Sequence, residues 1–78
     1  MSAVWPVLSE LDARVLRATD ARHVRTVERV AERAGCGEDV AKSVLRRLRV
    51  RMLVEDDGRR PSGWLRTYAG EVALEHQP

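Results

Sequence analysis

The sequence predicts an α+β fold, mostly α, with a three-helix core, a two-stranded hairpin and a short C-terminal helix. Three observations carry this. Residues 39–55 read DVAKSVLRRLRVRMLVE, in which Ala41, Val44, Leu45 and Leu48 recur at helical spacing. Gly35 and Gly37 flank a single small residue, so a tight turn joins that helix to an apolar-periodic run before it. Beyond it come a short apolar run, the turn signal Asp57-Gly58 and a returning apolar piece at Trp64.

The elements follow in order. Residues 1–8 read as an N-terminal arm, because Trp5-Pro6 argues against helix there. Ser9 and Asp12 have capping-box spacing, which starts a first helix near Glu10 with Leu11, Val15, Leu16 and Ala18 as its stripe and Arg14 and Arg17 outside. His23-Val24-Arg25 is a brief extended piece, a candidate edge strand. Thr26 caps a second helix that buries Val27, Val30, Ala31 and Ala34, and Glu28 suits the positive end of its dipole. The third helix runs 38–51. Met52 to Asp56 reads as a strand, Arg59 to Gly63 as a polar tip and Trp64 to Arg66 as the return. Thr67 caps a last helix to about Glu75, with Val72 and Leu74 as its buried side. The domain is therefore 9–75, and 76–78 a tail.

With 78 residues, 44% apolar and 33% charged, the chain is expected to be one soluble domain near the lower size limit for a self-sufficient core. No apolar run has bilayer length and no leader pattern opens the chain, so a cytoplasmic location is expected and no membrane contact. Cys36, the single cysteine, reads as a small filler in the turn, and His23 and His76 lack ligand spacing, so no metal and no cofactor are expected. An enzyme is not expected either: there is no nucleophile–base–acid set and no glycine-rich phosphate loop.

Charge is more informative in its distribution than in its sum of +2. Residues 37–66 carry eight cations against five acids, whereas 1–36 carry six against five and 67–78 only Glu71 and Glu75. On a wheel at about 100° per residue, the third helix turns Asp39, Ser43, Arg46 and Val50 away from its apolar stripe, with Lys42 and Arg47 on the flanks. Arg49 and Arg51 lie beside the stripe, where they are expected to snorkel along the core edge. A major groove about 12 Å wide admits one helix. Lys42, Ser43 and Arg46 are thus the groove-facing candidates and Arg47 a phosphate contact. Arg59 and Arg60 at the hairpin tip would reach the neighbouring backbone or minor groove. Trp64 is expected under the hairpin and not stacked on a base.

This order of elements resembles a winged helix-turn-helix domain, and more closely the small bacterial transcription regulators of the multiple-antibiotic-resistance (MarR) type. The resemblance rests on VERVAERAGCGEDVAKSVLRRLRVRMLVE, residues 27–55, and TYAGEVAL, residues 67–74. It implies a small regulator of a bacterium or phage that binds double-stranded DNA, with helix 38–51 in the major groove and wing 56–64 on the backbone or minor groove. A homodimer or an array on DNA is expected, because one recognition helix reads few base pairs. Met52 departs from the pattern by standing where such families usually carry glycine.

Two features oppose the DNA reading. Glu38 and Asp39 occupy the first turn of the presumed recognition helix, where they favour the dipole but repel phosphate; Glu38 and Lys42 also have ion-pair spacing. Asp56 and Asp57 dilute the wing. The alternative is a winged-helix interaction module that docks a protein partner in place of DNA.

Overall fold

A computed structural model describes residues 8–59 and 62–77. Its elements are α1 (Glu10–Ala18), β1 (Arg25–Thr26), α2 (Val27–Ala34), α3 (Glu38–Val50), β2 (Val54–Asp56), β3 (Gly63–Arg66) and α4 (Tyr68–Glu75). Helix, strand, helix, turn, helix and hairpin in this order form a winged helix-turn-helix.

Three of the four described helices start at a side-chain cap. The Ser9 hydroxyl accepts the Asp12 amide at 3.0 Å, Thr26 accepts that of Arg29 at 3.3 Å and Thr67 that of Gly70 at 3.0 Å. Helix α3 has Gly37 at its N-cap and so no side-chain cap, which leaves its first amides without an internal acceptor. The three-helix core closes over Val15, Leu16, Val30, Val44, Leu45 and Leu48, all at most 1% exposed. Burying each of these side chains contributes about 1.5–3 kcal/mol before conformational entropy is subtracted.

Between α1 and β1 the chain is tied down by Asp20. Its carboxylate accepts the amides of Arg22 at 2.7 Å and His23 at 3.3 Å and pairs with the Arg25 guanidinium at 3.2 Å. The Arg22 amide foremost, with the His23 amide and Arg25 behind it, holds this carboxyl below its ordinary value. The Asp20 carbonyl also receives the Arg66 amide at 2.8 Å, which fastens the loop to β3. The predicted edge strand forms one residue later than its expected centre. Arg25 pairs with Trp64 and Thr26 with Gly63, so the hairpin becomes a three-stranded antiparallel sheet of order β1-β3-β2.

The end of α3 differs from the expected strand at Met52. The Met52 amide bonds the Arg49 carbonyl at 2.9 Å and the Leu53 amide bonds that of Leu48 at 2.9 Å, the paired closure of a left-handed helix stop. Met52 takes φ +63°, and Leu53, 2% exposed, seals the core behind it, so the strand starts only at Val54. A non-glycine side chain in this conformation is strained, and Met52 is 74% exposed, so it gains little by burial. Met52→Gly is expected to stabilise the fold by about 0.5–1 kcal/mol in urea unfolding. A loss of stability would show that the methionine side chain has a packing role.

At the C-terminal end, α4 buries Gly70 and Ala73, while Val72 and Leu74 are only half-buried, which corrects the expected stripe. The helix rolls that way because its cap binds it edge-on to the α3–β2 junction: Thr67 donates its amide to Leu53 O and its hydroxyl to Met52 O. Leu8, assigned by sequence to the arm, is 6% exposed in the core, and its amide bonds the Gln77 side chain at 3.1 Å. The rest of the arm, including Trp5, lies outside the described residues.

Candidate nucleic-acid interface

Helix α3 separates its two faces as the wheel anticipates. Ala41, Val44, Leu45 and Leu48 are buried, and Asp39, Lys42, Ser43, Arg46, Arg47 and Val50 are exposed. With 13 residues it is about 20 Å long, enough to cross a major groove. The outward row is exposed along its length, and Val50 at its end is 83% exposed.

The cations of this helix fall into two groups. Lys42, Arg46 and Arg51 form no ion pair among the described residues. Arg47 is held at 2.5 Å by Asp12 of α1, and Arg49 at 2.6 Å by Asp56 of β2. Arg49 therefore does not snorkel along the core edge as its position beside the stripe suggested; a carboxylate across the α3–wing junction draws its guanidinium outward. The anticipated Glu38–Lys42 pair does not form, leaving both groups open to other partners.

The wing tip is organised by aspartates. Asp57 Oδ1 accepts the amides of Gly63 and Arg59, both at 3.0 Å, and Asp56 Oδ1 accepts that of Gly58 at 3.1 Å. Gly58 takes φ +71°, a conformation that suits glycine. The Gly63 amide first and the Arg59 amide second hold the Asp57 carboxyl below its ordinary value. Asp57, read by sequence as diluting the wing, is thus what shapes the loop carrying the exposed Arg59. Arg60 lies outside the described residues. Trp64, 4% exposed, packs under the wing as expected; its indole Nε1 is buried with no hydrogen-bond partner among the described residues.

Between α3, the start of α2 and the wing lies a groove of about 740 Å³. Lys42, Arg46 and Arg49 line it, but so do Glu28, Glu38, Asp39 and Asp56. With Arg49 and Asp56 paired, two cations face three carboxylates there. Sequence reasoning foresaw the acids of the first turn but missed Asp12 as a partner of Arg47. The signal was available: Asp12 precedes Val15 and Leu16 by three and four residues, which puts a carboxylate on the apolar stripe of α1.

Among the described residues no cluster of histidine, cysteine and carboxylates is suited to hold a metal, and no helix is long and apolar enough to cross a membrane. No protein-family model matches this sequence, and no curated protein does. Among solved structures, the chain is similar to the E41A mutant of Lactococcus lactis ZitR, with a TM-score of 0.68 and 18% identity over 97% of its own length. It spans 54% of that chain. At this identity the likeness speaks for the fold alone.

Proposed function

We propose that the protein is a small DNA-binding transcription regulator, resembling the MarR type, that lays α3 in a major groove and sets its wing against the flanking backbone or minor groove. The observation that carries this reading is the row Lys42, Ser43 and Arg46, which projects from the exposed face of the second helix of a helix-turn-helix without an internal salt bridge. Arg47, as a phosphate contact, and the wing residues Arg59 and Arg60, on the neighbouring backbone or minor groove, complete the set. Two copies binding adjacent half-sites supply the specificity one such helix lacks.

The test is fluorescence anisotropy on a labelled duplex across a salt series. About four phosphate contacts give a slope of roughly −3 to −4 in log K against log salt. Arg46→Ala is expected to weaken binding about tenfold, roughly 1.4 kcal/mol, while the melting temperature stays within a degree or two. Wild-type protein with no duplex affinity at low salt would overturn the reading.

The surplus of carboxylates in the α3–wing groove favours a second reading, in which this face docks a protein with basic side chains. A nuclease-resistant stoichiometric complex in the absence of duplex binding would identify that case.

A further inference from the structure

We infer that Asp12 is a positioning residue for Arg47 in nucleic-acid binding, an inference that rests on the duplex-binding reading above. Asp12 belongs to α1 and lies 35 residues from Arg47 in sequence. Its amide is fixed by the Ser9 hydroxyl at 3.0 Å and its side chain is only 10% exposed. A carboxylate this buried requires a charged or hydrogen-bonded partner. The Arg47 Nη2 donates to its Oδ1 at 2.5 Å.

The pair is asymmetric. The Arg47 side chain is 56% exposed while the carboxylate beneath it is not. A guanidinium carries five N–H donors in a rigid planar fork, so one edge can bond Asp12 while the other points to solvent. Lys42 and Arg46, on the neighbouring face, have no such anchor and must be ordered when a ligand arrives. Arg47 is ordered beforehand. Asp12 therefore does more than neutralise a charge: it presents the free edge of Arg47 in one orientation beside the groove-facing row.

Neutralisation and positioning predict opposite signs, which makes Asp12→Asn decisive. Asparagine keeps the shape and one acceptor but removes the charge. Positioning predicts a loss of duplex affinity of about three- to tenfold with an unchanged salt slope, since the cation count is unaltered. Pure neutralisation predicts a gain in affinity and a slope steeper by about 0.9, because Arg47 becomes available to displace a counterion. A gain, or no change, overturns the inference.

Arg47→Lys provides an independent arm should Asp12→Asn fold poorly. It conserves charge but removes the fork, so affinity is expected to fall by a similar factor, and adding Asp12→Asn to it should cost little more. Unchanged affinity in Arg47→Lys also overturns the inference. Wild-type protein that fails to bind duplex at low salt removes the regulator reading itself, a result seen before any variant is compared.

Discussion

Replacing Glu38 with Gln and Asp39 with Asn together is expected to raise duplex affinity about thirtyfold, close to 2 kcal/mol. Both carboxylates sit in the first turn of α3 and line the groove between that helix and the wing, where the backbone separating major from minor groove would pass. Two unit charges 6 Å apart repel by about 0.7 kcal/mol even in water, and each acid meets more than one phosphate. Removing them leaves Lys42 and Arg46 facing Glu28 alone at that end. The gain should shrink as salt rises, because the screening length falls to about 8 Å at physiological ionic strength. It should come with a small loss of fold stability, about 0.3–1 kcal/mol per acid, since both favour the helix dipole. A fall in affinity would instead mean that one of the carboxylates accepts a hydrogen bond from a cytosine amino group. Competition with duplexes varied at one base pair would then locate it.

The elements of the fold were legible where one local signal determined them. Ser9, Thr26 and Thr67 announce helix starts because a hydroxyl that accepts an amide three residues on needs nothing from elsewhere in the chain. The buried face of α3 was likewise readable from spacing alone. Legibility ended at a helix stop that the hydropathy pattern does not mark, and where two distant segments meet. Met52 was read as strand because it opens an apolar run, whereas the Arg49 and Leu48 carbonyls close a helix stop over it. Val72 and Leu74 looked buried by hydropathy, but the tie from Thr67 to the α3–β2 junction turns Gly70 and Ala73 inward. The exposed row of the candidate interface was predictable from the wheel. The division between tethered and open cations was not, because Asp12 and Asp56 reach Arg47 and Arg49 from other elements.

That same junction gives the largest expected stability effect, in Gly70→Ala. On helix propensity alone the substitution would stabilise α4 by about 1 kcal/mol. The structure reverses the sign. A Cβ on Gly70 would fall well inside van der Waals contact of the Leu53 carbonyl oxygen and within 2.9 Å of Arg66 Cγ. The Arg66 guanidinium is held by Leu16 O and Glu71, and the carbonyl is still less free to move. It belongs to the residue whose amide closes the stop of α3, and it accepts the amide of Thr67, the residue whose hydroxyl caps α4. Making space means sliding α4 off this junction, which breaks the Thr67–Leu53 bond and loosens Ala73 in the core. Overpacking of this kind costs about 1–3 kcal/mol and the lost bond about 1 more. After the propensity gain, the net expectation is a destabilisation of about 2 kcal/mol, which lowers the melting temperature of a domain this size by roughly 10 °C. Tyr68→Ala, on the same helix but at a position 83% exposed, should leave it nearly unchanged and serves as the control. Thermal unfolding of both variants by circular dichroism decides the matter. A Gly70→Ala protein as stable as wild type would show that α4 docks loosely and that the Thr67 tie does not set its roll.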